Sequence, residues 1–77
     1  MTTPHRILAH SIIWGDRTFS MSVASALRTP DGTWAVEITP FTGETPQTVF
    51  VSGSVAIEDA DGNPFRNGDI RPPVFRH

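Results

Sequence analysis

The sequence predicts an all-β protein: a small antiparallel meander of four to five strands, curled into a barrel or half-barrel. Three observations predict it. Gly15-Asp16 and Thr29-Pro30-Asp31-Gly32 are turn signals. Side chains alternate with period two beside each of them, as in Phe19, Met21, Val23, Ser25 and Leu27. Val49, Val51, Gly53, Val55 and Ile57 repeat that alternation farther along. The alternative architecture is a β-sandwich completed only on dimerisation.

Strand one is expected over Arg6 to Trp14 and strand two over Arg17 to Arg28. Gly15, opening a two-residue loop, suits a type II′ turn. That turn sets Trp14 opposite Arg17, Ile12 opposite Phe19, His10 opposite Met21 and Leu8 opposite Val23. These eight share one side, and six of them are large and apolar. The other side holds Ala9, Ser11 and Ile13 against Ser22, Ser20 and Thr18. A helix over Met21 to Arg28 competes, because Ala and Leu favour helices. The strict alternation favours a strand.

Strand three is expected over Thr33 to Thr39. Taking Thr29 to Gly32 as a four-residue loop sets Arg28 opposite Thr33, Leu27 opposite Trp34, Ser25 opposite Val36 and Val23 opposite Ile38. The large residues of three strands then lie together, and a one-residue slip would send the third set to the opposite side. Pro40 ends the strand, and Gly43-Glu44-Thr45-Pro46 form a loop. Strand four, Gln47 to Glu58, is expected to return beside strand three, with Ile38 opposite Val51, Val36 opposite Gly53 and Trp34 opposite Val55. Gly53 then either makes room for the Trp34 indole or marks a β-bulge.

Asp59-Ala60-Asp61-Gly62-Asn63-Pro64 is a dense turn signal. Phe65 to Ile70 is expected to form a short fifth strand. Residues 71–77 cannot form a central strand, because Pro72 and Pro73 remove two donors. They read as an extended, polyproline-like tail anchored by Phe75. Residues 1–5 read as a frayed start. There are no internal repeats or charge runs.

Seventy-seven residues make one small domain. A chain this short buries only roughly 60% of its unfolded surface, so small scaffolds need a staple. The absence of cysteine excludes disulfides and cysteine-ligated zinc, so a homodimer is expected instead. The net charge of −2 argues against nucleic acid as a partner. All six basic residues are Arg. Codon bias in a GC-rich genome explains that, as does selection for bidentate contacts at an interface. The longest apolar run, Ile12-Ile13-Trp14, is far short of the roughly 20 residues of a membrane span. With no signal-peptide pattern either, a soluble, cytoplasmic protein of bacterial or phage origin is expected.

No catalytic, cofactor-binding or metal site is predicted. Asp59, Asp61 and Asn63 mimic the start of a calcium loop, but Pro64 and Ile70 stand where its Gly and bidentate Glu belong. His5 and His10 are five apart, on opposite sides of a strand. No nucleophile turn or phosphate-binding glycine loop is present. Glu37 with Glu58 is the carboxylate pair to test. The face carrying Ala9, Ser11, Ser20, Ser22, Ala24, Ala26, Ala35, Ser52, Ser54 and Ala56 has small side chains. It is a smooth exposed face, or the chain's own Phe65 and Phe75 cover it, or a partner does. Strand four is uncharged from Thr48 to Ile57, and such an edge invites a fifth strand or a second protomer across a two-fold.

The leading functional expectation is a non-enzymatic protein-interaction module that self-associates. Its size fits a phage- or mobile-element inhibitor or assembly factor. The candidate partner-binding residues are Arg71, Phe75 and Arg76 in the tail, with Val49, Val51, Ser52 and Ser54 on strand four. The alternative is a small nucleic-acid-binding barrel, with Trp14 and Trp34 stacking on bases and Arg17 and Arg28 holding phosphates. A weaker alternative is an enzyme using Glu37, His10 or Asp59.

Overall fold

A computed structural model describes residues 5–43 and 48–77, which form five strands and no helix. These are β1 (His5–Trp14), β2 (Arg17–Arg28), β3 (Trp34–Pro40), β4 (Val49–Glu58) and β5 (Val74–Arg76). They make one half-barrel sheet in the order β3-β2-β1-β4-β5. Met21 to Arg28 is strand, not helix. His5 already opens β1, while residues 1–4 of the expected frayed start lie outside the described residues.

The first hairpin has the expected register, with Trp14 opposite Arg17, Ile12 opposite Phe19 and Leu8 opposite Val23. Gly15 has φ 63° and Asp16 does not share its sign, as a II′ turn requires. The alternation, however, does not run unbroken along this hairpin. Ala9 and Ile12 are both fully buried in one cluster although three positions apart. The inward face changes parity at His10 and Met21, where Met21 adopts left-handed φ of 43°. Such a conformation costs a non-glycine residue about 1–2 kcal/mol. Burying a side chain such as Ile12 contributes about 1.5–3 kcal/mol and offsets it.

The second hairpin is slipped by one residue from expectation: Arg28 lies opposite Trp34, Ala26 opposite Val36 and Ala24 opposite Ile38. The reason is the loop. Thr29 N–H donates to the Thr33 carbonyl (2.8 Å) and Gly32 N–H to the Thr29 carbonyl (3.0 Å), so Thr29 and Thr33 close a loop of only Pro30, Asp31 and Gly32. Gly32, at φ 88°, supplies the left-handed last position of that loop type. The slip sends Trp34, Val36 and Ile38 to the side of Ala24 and Ala26. The core therefore mixes both expected sides: Ala9 and Ala24 cluster with Ile12, Val36, Val55, Ile57 and Phe65, and Trp14, Phe19 and Phe75 pack against them. Phe65 and Phe75 pack with Ala9 and Ala24, but the expected small-residue face does not form one surface: Ser20, Ser52 and Ser54 are exposed, and Val51, Val55 and Ile57 are the β4 residues that join the core. Leu8 and Val23 are buried outside this cluster, in a row across the sheet that runs Phe50, Leu8, Val23, Thr39.

The largest departure from expectation is β4. It does not return beside β3 but pairs in parallel with β1. Ile38, Ala24, Ile7 and Val49 lie in one row across four strands, so the chain re-enters the sheet at the level where it left. Most of the expected Gly43–Pro46 loop and the expected start at Gln47 lie outside the described residues. Gly53, at φ 104°, marks a bulge: the pairing with β1 shifts by one residue between Ala9 and Ser11. A side chain there would meet nothing within 4 Å, so Gly53 makes no room for the Trp34 indole.

Residues 65–70 are not a strand but an irregular strap across the core. Phe65 is buried, and its carbonyl accepts from the Trp14 indole N–H at 2.8 Å. Farther on, Asn67 Oδ1 accepts from Val36 N–H (2.8 Å), and Gly68 and Asp69 exchange backbone bonds with Trp34 (2.8 Å each). The strap thereby ties the outer edge of β3 to the end of β4, where Glu58 and Pro64 form an isolated bridge. The expected tail is the real fifth strand. Val74–Arg76 pairs antiparallel with Ala56–Glu58, and the two prolines precede this edge strand instead of interrupting it.

Candidate interaction surface

Two of the three tail candidates, Phe75 and Arg76, lie on the outer edge of β4, on the same strand as Val49, Val51, Ser52 and Ser54 but at its opposite end. Phe75 lies opposite Ile57 and Arg76 opposite Ala56. Arg76 Nε donates to Glu58 Oε1 at 2.6 Å, with side-chain exposures of 60% and 25%. The His77 ring nitrogen lies 3.3 Å from the Ser52 carbonyl oxygen, so the chain end reaches down the edge past β5. Arg71 is held elsewhere, by the Asp61 carboxylate of the preceding turn at 3.1 Å. That hydrogen bond and the charge of Asp61 raise the pKa of its guanidinium. Pairs this exposed contribute little to stability.

Below the tail the edge is open. Among the described residues, no strand pairs with Val49 to Ser54 on the side away from β1. Val49 and Phe50 are 64% and 54% exposed. Phe50 meets His10 edge to face, with ring centroids 5.6 Å apart. Val51 packs against the core, while Ser52 and Ser54 are exposed. This edge carries no charge from Val49 to Ile57. The bulge at Gly53 and the short β5 limit how much regular strand it offers.

The structure separates other candidates. Glu37 lies opposite Ser25, in the row of Arg6 near the start of β1, while Glu58 lies beyond the Ile13–Ala56 row at its other end. They make no carboxylate pair. Asp59 Oδ1 accepts from the N–H groups of Asp61 (2.9 Å) and Asn63 (3.0 Å), the bonding of a tight hairpin turn. No group of three or more metal-binding side chains gathers among the described residues. A cleft of about 400 Å³ lies along Asp59, Pro64, Phe65, Arg66 and Asp69. Trp14 and Trp34 both pack against the core. Stacking of bases on their faces finds no support there.

Sequence reasoning missed the strap and the His10–Phe50 contact. Asn67-Gly68 is a strong turn dipeptide and argues against a strand through 65–70. The His10–Phe50 contact has no sequence signal, because it depends on β4 lying beside β1. Compared with protein-family models, with curated proteins and with solved structures, the chain matches none.

Proposed function

We propose that this protein is a small non-catalytic interaction module that works as a symmetric self-assembly, joined along the outer edge of β4. One observation carries the reading: an uncharged, partly apolar strand edge is left without a strand partner over Val49 to Ser54 among the described residues. Unpaired strand edges present rows of amide and carbonyl groups that pair readily with another chain. A two-fold assembly lets the same patch serve both partners. The domain is also small enough that added burial at an interface matters to its stability. The experiment is light scattering across a hundredfold dilution series. A mass twice that of the chain, falling toward one chain on dilution, is expected. A single-chain mass at every concentration overturns the proposal.

A further inference from the structure

Resting on that self-association, we infer that next to the open Val49–Ser54 stretch the segment paired with Ala56–Glu58 in the assembly is the tail of the second copy, residues 74–77, exchanged between protomers. The tail is the one sequence known to fit this edge. It supplies a backbone ladder to Ala56–Glu58, the Phe75 side chain to the core, Arg76 to Glu58, and the His77 ring to the Ser52 carbonyl. A second copy's tail makes the same contacts on the same groups, so exchange loses none of them. The balance between closed and exchanged forms is then set by the hinge and by concentration.

The hinge favours exchange. Pro72 and Pro73 hold the chain extended, at roughly 3.1 Å per residue, just before β5. The tail is short, three paired residues, and its Arg76–Glu58 link is solvent-exposed. Ile70, at the start of this hinge, is 79% exposed, more than any other large apolar side chain described. Among the described residues of the closed chain that side chain is left largely uncovered.

The test uses charge reversal in the full chain. Glu58→Arg places two arginines at the link, and Arg76→Glu places two carboxylates there, whether the tail sits on its own β4 or on an identical partner's. An equal mixture of the two variants can form a heterodimer in which both links join opposite charges, but only if tails cross. Native mass spectrometry of the mixture is expected to find heterodimer well above the statistical share of about half. The second measurement uses the absence of native cysteine. Ala56→Cys in one chain and Arg76→Cys in another, mixed and oxidised, are expected to give a mixed disulfide dimer, since these positions are directly opposed. A wild-type dimer with statistical mixing and no mixed disulfide overturns the exchange but leaves self-association standing. A wild-type monomer overturns both.

Discussion

Two turns in this molecule have the same build and opposite consequences. Thr29–Thr33 and Asp59–Asn63 are each closed between first and fifth residues, by N–H to carbonyl bonds of 2.8 and 2.7 Å. In each, the glycine N–H returns to the first carbonyl, and that glycine is left-handed, at φ 88° for Gly32 and 87° for Gly62. After the first turn the chain pairs with β2 over seven rows, Arg28–Trp34 to Ser22–Pro40. After the second, one bridge at Pro64 forms and the chain leaves as the strap. The difference lies downstream. Trp34-Ala-Val-Glu-Ile-Thr39 alternates in strand fashion, whereas Pro64 has no donor and Asn67-Gly68 turns the chain again. Turn chemistry fixes where two strands would start to pair. The next six residues decide whether they do.

The comparison breaks first at Phe65. β3 is held by a ladder, but the strap has a single buried apolar anchor, 3% exposed. Phe65→Ala is expected to destabilise the protein by about 3–5 kcal/mol, read by chemical denaturation, with the strap's amides losing hydrogen-exchange protection before those of β3. Protection lost equally in both would show that the strap and β3 unfold as one unit. A smaller effect sharpens the likeness of the turns themselves. Gly32→Ala and Gly62→Ala each force a left-handed alanine, and each is expected to cost about 1–2 kcal/mol. Equal shifts in thermal midpoint are expected, and a silent Gly62→Ala would mean that the second turn opens without consequence.

The smallest effect is electrostatic. In the first turn the acceptor is the third residue. Asp31 Oδ1 takes the Thr33 N–H at 3.1 Å, the Thr33 hydroxyl at 2.8 Å and the Thr29 hydroxyl. Those bonds, from Thr29 first and then Thr33, hold the Asp31 carboxyl below its ordinary pKa. A group depressed in the folded state adds stability above its unfolded-state value and loses it as pH falls through the folded one. The thermal midpoints of the wild type and Asp31→Asn are therefore expected to differ at neutral pH and converge in acid below the usual carboxylate range. A difference that persists there would assign the effect to the side chain's shape rather than its charge.

The sequence was legible where the chemistry is local. The II′ turn at Gly15-Asp16 sets the register of the first hairpin, with only the expected His10–Met21 pair missing, and β2 runs over the expected Arg17 to Arg28 despite the break in alternation at Met21. It misled where one residue decides. Counting Thr29 as part of the loop shifted β3 by one position and put Trp34, Val36 and Ile38 on the wrong face. The partner of β4 was not legible, because an alternating apolar strand fits either outer edge of a three-stranded meander and no short turn fixes the choice. The parity change at Met21 has no signal in its composition either. The candidate surface was legible as two pieces, the uncharged β4 and the aromatic-basic tail. Their place along one edge was not, since it depends on β5 forming after two prolines.

The parallel seam between β1 and β4 also sets an order of events. The meander of β1, β2 and β3 closes through loops of two and three residues, whereas the β1–β4 pairs join positions about forty apart, and each doubling of a loop adds roughly 0.6 kcal/mol of closure entropy. During folding, the hairpins therefore assemble ahead of the seam, and the outer edge of β1 waits uncovered until β4 arrives. A chain emerging from synthesis passes through the same stage, with three strands made and Ile7, Ala9 and Ile12 still facing water. During that interval the protein offers a second open edge to another copy or a chaperone.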